Sequence, residues 1–132
     1  MDKIEHIDEA AIEHLVDRFY AKIRADSELA PIFERAIPGD WGPHLATMCD
    51  FWSSVMLTSG RYKGNPVAKH VRLDGMEPRL FDRWLTLFDA TCAELFEGAV
   101  ADAFRLKAAR IAESLKLALF YRPDQNWPRS AP

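Results

Sequence analysis

The chain has 132 residues, of which 48% are hydrophobic and 28% are charged, and its formal net charge is −3. This length and composition predict one globular domain with a substantial core, and the mild acidity argues against nucleic acid or an anionic membrane as partner. The acidic, polar N-terminus and the lack of a long apolar run predict a cytoplasmic protein rather than a secreted or membrane protein.

The first half of the chain predicts three helices. Apolar residues repeat at helical spacing through the segment DEAAIEHLVDRFYAKIRAD, and Asp8 at its start is a suitable N-cap. A shorter helix follows, with Pro31 in an early turn, until a Pro-Gly-Asp stretch breaks it. The third helix follows that break, with Asp40 as the expected cap and Pro43 in its first turn.

The second half predicts a loop, a short segment and two long helices. The stretch TSGRYKGNP carries two glycines and a proline and is typical of a loop. A short apolar segment around His70 follows, and Pro78 then opens a helix with an aromatic face. The last helix is expected from about Val100 to Phe120. Because no segment alternates with a period of two for long, the predicted fold class is all-α.

Two of the four histidines, His44 and His70, lie among apolar residues, whereas His6 and His14 are expected to face solvent. Taken singly, each of the first pair could be a partly buried ring bonded to a backbone carbonyl. The chain has no HExxH motif, no paired cysteines and no cluster of acidic residues and histidines, which argues against a bare metal site. One histidine can hold the iron of a haem, because the porphyrin supplies four ligands itself.

Aromatic side chains that could cover such a ring are plentiful, although plain core packing explains each of them as well. They are Phe33, Phe51, Trp52, Phe81, Trp84 and Phe88. Tyr20 lies on the inward stripe of the first helix, and a buried tyrosine hydroxyl needs a hydrogen-bond partner. That partner is either another group of the protein or a bound diatomic ligand.

Four segments, in this order and spacing, resemble the third group of the bacterial truncated haemoglobins. They are FYAKIRADSELAPIF, DWGPHLATMCDFW, YKGNP with AKHVRL behind it, and FDRWLTLF. The resemblance covers nearly the whole chain. It implies a truncated globin fold, a two-over-two helical sandwich around non-covalent haem b, in a single domain of residues 1–121. Residues 122–132 would then form a proline-rich, disordered tail.

The resemblance also implies roles for individual residues. His70 matches the proximal histidine, which ligates the iron. Tyr20, His44 and Trp84 match polar residues around the bound gas and are the candidate catalytic residues. The expected cofactor contacts are Phe33, Met48, Phe51, Trp52, His70, Leu73, Phe81, Trp84 and Phe88.

The expected small ligands are dioxygen, carbon monoxide, nitric oxide and cyanide. Hydrogen bonds from Tyr20 and Trp84 would slow the release of such a ligand, which favours redox chemistry over delivery. Nitric oxide dioxygenation and a peroxidase-like reaction, both fed by an unidentified reductase, fit this pocket. Two alternatives stay open: a gas store or sensor without turnover, and a cofactor-free helical interaction module.

Overall fold

The computed structural model describes residues 3–65 and 75–120 of the chain. This part contains five helices and, as its only extended pairing, an isolated parallel bridge between Ile4 and Phe96. The helices are α1 Glu9–Ala25, α2 Ala30–Ala36, α3 Gly42–Leu57, α4 Pro78–Leu95 and α5 Gly98–Phe120. The predicted all-α class is therefore confirmed. No helix in the described ranges is long and apolar enough to cross a bilayer.

Two helix starts follow the sequence signals closely. The Asp8 carboxylate accepts a hydrogen bond of 2.8 Å from the Ala11 amide and so caps α1, as predicted. Pro78 is the first residue of α4, where its missing N–H has no cost.

The starts of α3 and α5 differ from prediction by one or two residues. Trp41 is the N-cap residue of α3, and the Asp40 carboxylate instead accepts a hydrogen bond of 3.0 Å from the Gly42 amide. Helix α5 begins at Gly98. The Glu97 carboxylate accepts a hydrogen bond of 3.3 Å from the Val100 amide, one of the first-turn N–H groups that have no partner within the helix.

The core lies between α1, α3, α4 and α5. Helix α1 packs against α3 and α4, and α5 packs along α4. Four phenylalanines with 1% exposure or less fill the interior, namely Phe19, Phe88, Phe96 and Phe104. Burying such a side chain contributes about 1.5–3 kcal/mol to folding, so these rings are the main apolar anchors of the helices.

An ion pair between buried Asp26 and half-exposed Arg83 ties the turn between α1 and α2 to α4. Arg83 donates from Nε and Nη2 to Asp26 Oδ1 at 2.9 and 2.6 Å. The other oxygen, Oδ2, accepts from the amides of Leu29 at 2.9 Å and Glu28 at 3.1 Å. Burial opposes ionisation of Asp26, but these bonds and the Arg83 charge outweigh it and lower the pKa of the carboxyl. The turn that leads into α2 is thereby fixed.

Candidate functional site

A cavity of about 450 Å³ opens between the helices, a volume within the usual range of small-molecule sites. Every one of the five helices contributes to its wall, and so does Tyr62 in the loop after α3. Among residues 3–65 and 75–120, no Asp, Glu, Lys or Arg lines it. The lining residues are Tyr20, Leu29, Phe33, Ala36, Ile37, His44, Met48, Phe51, Trp52, Tyr62, Met76, Phe81, Trp84, Ile111, Ala112 and Leu115.

Tyr20 and His44 form the polar part of this wall. Their ring centroids lie 5.3 Å apart at an interplanar angle of 89°, so one ring presents its edge to the other. They come from different helices, α1 and α3, and the packing of those helices brings the two rings together. The sequence predicted both as site residues, and the structure places them side by side.

The Tyr20 hydroxyl is an available hydrogen-bond donor. Tyr20 is only 5% exposed, yet within residues 3–65 and 75–120 its hydroxyl has no hydrogen-bond partner. Burial raises the pKa of the phenol well above its ordinary value. The side chain is therefore neutral at physiological pH and keeps the proton that it can donate into the cavity.

Trp84 is a second lining residue that carries a hydrogen-bond donor. Its indole stacks on Phe88 with centroids 5.3 Å apart and planes 11° apart, and it meets the edge of Phe19 at 5.2 Å. These contacts hold the ring on α4 while the side chain lines the cavity. Since indole Nε1–H is only a donor, Trp84 adds a hydrogen-bond donor to the residues that line the cavity.

The other residues predicted from the sequence fall into three sets. Besides Tyr20, His44 and Trp84, the predicted residues that line the cavity are Phe33, Met48, Phe51, Trp52 and Phe81. Phe88, which we expected to contact the cofactor, does not line it: its ring is 0% exposed and packs between Trp52 and Trp84. His70 and Leu73 lie outside the described residues, so the predicted iron ligand stays a prediction.

Sequence reasoning missed much of the apolar wall. The missed lining residues are Leu29, Ala36, Ile37, Met76, Ile111, Ala112 and Leu115. Ile111 and Leu115 had the helical spacing of core residues, and that signal does not distinguish a wall from a core. His6 and His14 are exposed, in agreement with their expected place in solvent.

Trp41 is a further missed residue, and it lies behind the polar wall. Its ring centroid is 5.7 Å from that of His44 and 6.2 Å from that of Tyr20. The Arg24 guanidinium covers the indole at 4.6 Å from its centroid. An aromatic residue inside a stretch of turn-forming residues was the only sequence signal for it.

The two cysteines are free thiols and do not take part in the site. Burial is the main cause that raises the pKa of Cys49 to about 11 and of Cys92 to about 12, so both are protonated and unreactive at neutral pH. In the part of the chain that the structure describes, no group of three or more His, Cys, Asp or Glu side chains is placed to hold a metal ion.

Comparison with known proteins gives a consistent result. The chain is 31% identical over 121 residues to the group 3 truncated hemoglobin ctb of Campylobacter jejuni. The aligned region covers 89% of this chain and 95% of that relative. The crystal structure of the group III truncated hemoglobin from Campylobacter jejuni superposes with a TM-score of 0.86 at 32% identity, covering 90% of this chain and 96% of the other. No family model matches the chain.

Proposed function

The chain belongs to the group 3 truncated haemoglobins, a family of haem-based gas binders, and from this premise we propose that it binds haem b and performs redox chemistry on a small diatomic ligand. The reactions that fit are nitric oxide dioxygenation and reduction of a peroxide. The single observation that carries the proposal is the Tyr20 hydroxyl, a donor on a side chain that is only 5% exposed and that lines a largely apolar cavity.

The cavity suits a haem by its chemistry. Its wall is almost entirely aromatic and aliphatic, which favours burial of a flat macrocycle. Phe33, Phe51, Trp52 and Phe81 are the aromatic residues that would hold it. His70 is the proposed iron ligand on the strength of the family resemblance. The haem, when bound, supplies an iron atom that takes a diatomic ligand and exchanges electrons with it.

The polar wall would act on that ligand through hydrogen bonds. Tyr20 stays protonated because burial raises its pKa, so its O–H donates over the whole physiological pH range. The Trp84 N–H donates without any dependence on pH. Donors that are fixed in place stabilise negative charge where it develops, and they need no reorganisation at the moment of reaction.

The same donors would slow ligand release. One hydrogen bond contributes about 0.5–1.5 kcal/mol net, and 1.4 kcal/mol corresponds to about tenfold in a rate or equilibrium constant. Two bonds, from Tyr20 and Trp84, would therefore retain the ligand about ten- to a hundredfold longer. Retention of this kind suits a reaction better than it suits oxygen delivery.

Turnover also needs electrons. Nitric oxide dioxygenation has the balance NO + O2 + e− → NO3−, so each cycle consumes one electron. We propose that a separate reductase supplies it.

The test is Tyr20→Phe in the haem-loaded protein. We expect oxygen to dissociate about two- to twelvefold faster, which is the loss of one hydrogen bond. Stopped-flow spectroscopy measures that rate, and an electrode measures steady consumption of nitric oxide with a reductant present. Tyr62→Phe is the matched control, since Tyr62 also lines the cavity but lies in the loop after α3, where its ring contacts Phe51.

Each outcome separates the functions. Faster release with reduced nitric oxide consumption would support the redox function. Faster release in a protein that consumes neither nitric oxide nor peroxide would leave a gas store or sensor. An unchanged release rate in Tyr20→Phe would remove the main support for the proposal.

A further inference from the structure

A buried indole stands at the very start of α3. Trp41 is only 6% exposed, although Asp40 before it and Gly42 after it are exposed. It is the N-cap residue of α3 but makes no side-chain hydrogen bond to the helix. Packing of the buried indole therefore contributes to holding the first turn of α3 against the rest of the protein.

On its inner side Trp41 completes a group of three rings with Tyr20 and His44. The centroid distances are 5.7 Å for Trp41–His44, 6.2 Å for Trp41–Tyr20 and 5.3 Å for Tyr20–His44. The Trp41–His44 planes are 88° apart, which is the edge-to-face arrangement that aromatic pairs favour. Trp41 itself does not line the cavity, so it contacts the polar wall from behind.

On its outer side Trp41 is covered by a cation. The Arg24 guanidinium carbon lies 4.6 Å from the indole centroid, within the distance at which a cation is attracted to the face of a ring. Arg24 follows Tyr20 by four residues on α1, which places both on one side of that helix. Helix α1 thus contacts Trp41 twice, once with a ring and once with a charge.

We propose that Trp41 is a positioning residue that keeps His44 beside Tyr20, and that Arg24 holds the indole in place. His44 follows Trp41 by three residues, on the same side of the first turn of α3. Without the indole, His44 loses one of the rings that fix it and can move away from Tyr20. The kinetic consequence of this inference rests on the proposed function, whereas its geometric content does not.

The experiment uses the haem-loaded, carbon monoxide-bound protein, which is diamagnetic. The nuclear Overhauser effect between the ring protons of His44 and Tyr20 reports whether the two rings are adjacent, and flash photolysis gives the carbon monoxide association rate. We expect Trp41→Ala to abolish that contact signal and to change the association rate about tenfold. Trp41→Phe should restore the signal, because a smaller ring keeps an aromatic contact.

Arg24 provides a graded version of the same test. Arg24→Gln removes the cation but leaves the indole, and we expect a weakened signal with an association rate changed about two- to fivefold. Arg18→Gln is the matched control, because it removes another α1 arginine, one that pairs with Glu94 at 3.3 Å instead of covering Trp41. It should change neither observable.

Contrary outcomes are easy to recognise. A His44–Tyr20 signal of unchanged strength in Trp41→Ala, or an Arg18→Gln effect equal to that of Arg24→Gln, would overturn the positioning role. If Trp41→Ala does not fold, Trp41→Phe and Arg24→Gln decide the question. If the protein takes up no haem, the proposed function fails, while the same ring contact measured in the haem-free protein still tests the role of Trp41.

Discussion

The polar groups of the core differ from the Tyr20 hydroxyl at the cavity in whether the protein itself supplies a hydrogen-bond partner. In the core, the buried side chains of Asp26, Ser53 and Thr91 all have hydrogen-bond partners within the chain. At the cavity, the hydroxyl of Tyr20, a side chain that is only 5% exposed, has none among residues 3–65 and 75–120. Both kinds of group are shielded from bulk water by the same helices, so burial alone does not explain the difference.

The contrast identifies the cavity wall as the place where this fold has a hydrogen-bond donor available for a ligand. A buried donor without a partner costs about 1–3 kcal/mol, and native cores seldom tolerate one. The Tyr20 hydroxyl avoids most of that cost because it borders the cavity, where water or a ligand can accept a hydrogen bond from it. The proposed function would use this donor, whereas a sealed core would leave it unpaired.

The largest expected effect on the free energy of unfolding comes from a substitution in the closed core. Phe104 is 0% exposed and stacks on Phe96 with centroids 4.8 Å apart. Phe104→Ala leaves a void in this closed packing and should lower the free energy of unfolding by about 3–5 kcal/mol. Urea denaturation of the haem-free protein measures the loss.

Phe33→Ala is the matched change on the cavity side. Phe33 is only partly buried and already borders open space, so its removal creates little new void. We expect less than half of the Phe104→Ala effect on unfolding, together with weaker haem retention. Equal losses of stability in the two variants would contradict the distinction between a sealed core and an open wall.

A middle-sized effect is expected at the satisfied polar group Asp26. Asp26→Ala removes the acceptor of the Leu29 amide and of Arg83, and should cost about 1–3 kcal/mol at pH 7. The folded pKa of Asp26 is lowered, so its contribution is complete above its ordinary pKa of about 3.9 and disappears as the pH falls through the folded value. Urea denaturation at a series of acidic pH values follows this difference.

An exposed aspartate on helix α1, which ends just before Asp26, controls for charge alone. Asp17→Ala removes one negative charge from the solvent face of α1, and we expect it to leave stability at pH 7 nearly unchanged. A difference between wild type and Asp26→Ala that persisted at strongly acidic pH would show that the ionised carboxylate is not the stabilising species.

The smallest effect on the free energy of unfolding is expected at Tyr20. A change close to zero would agree with a hydroxyl that has no partner in the protein. Tyr20→Phe removes a donor that has no partner in the described ranges, so unfolding of the haem-free protein at pH 7 should change by less than about 0.5 kcal/mol. At alkaline pH the wild type and Tyr20→Phe should differ in stability. The folded pKa of Tyr20 is raised, so the wild type loses stability relative to Tyr20→Phe as the pH rises above about 10.

Ultraviolet titration gives an independent measure of the same group. The chain has three tyrosines, and one should resist ionisation in the folded protein until the pH is well above the ordinary value. That resistant tyrosine should be missing in Tyr20→Phe. If it stayed, another tyrosine would be the resistant one. If Tyr20→Phe cost as much stability as Asp26→Ala, the Tyr20 hydroxyl would have a partner in the folded chain.

The sequence by itself determined the helices and the character of their faces. Local signals located the start of α1 at Asp8 and of α4 at Pro78, because capping and proline geometry involve only neighbouring residues. The family resemblance selected Tyr20, His44 and Trp84, and the structure places all three on one cavity. The role of His70, outside the described residues, stays a prediction from sequence.

Only the tertiary structure decided which apolar faces meet another helix and which border open space. Phe88 and Trp84 follow the same helical period on α4, yet Phe88 is sealed behind Trp84 and only Trp84 reaches the cavity. The cover of Arg24 over Trp41 depends in the same way on how α1 crosses α3. Periodicity records how apolar a face is, whereas helix packing over long sequence separations determines what that face contacts.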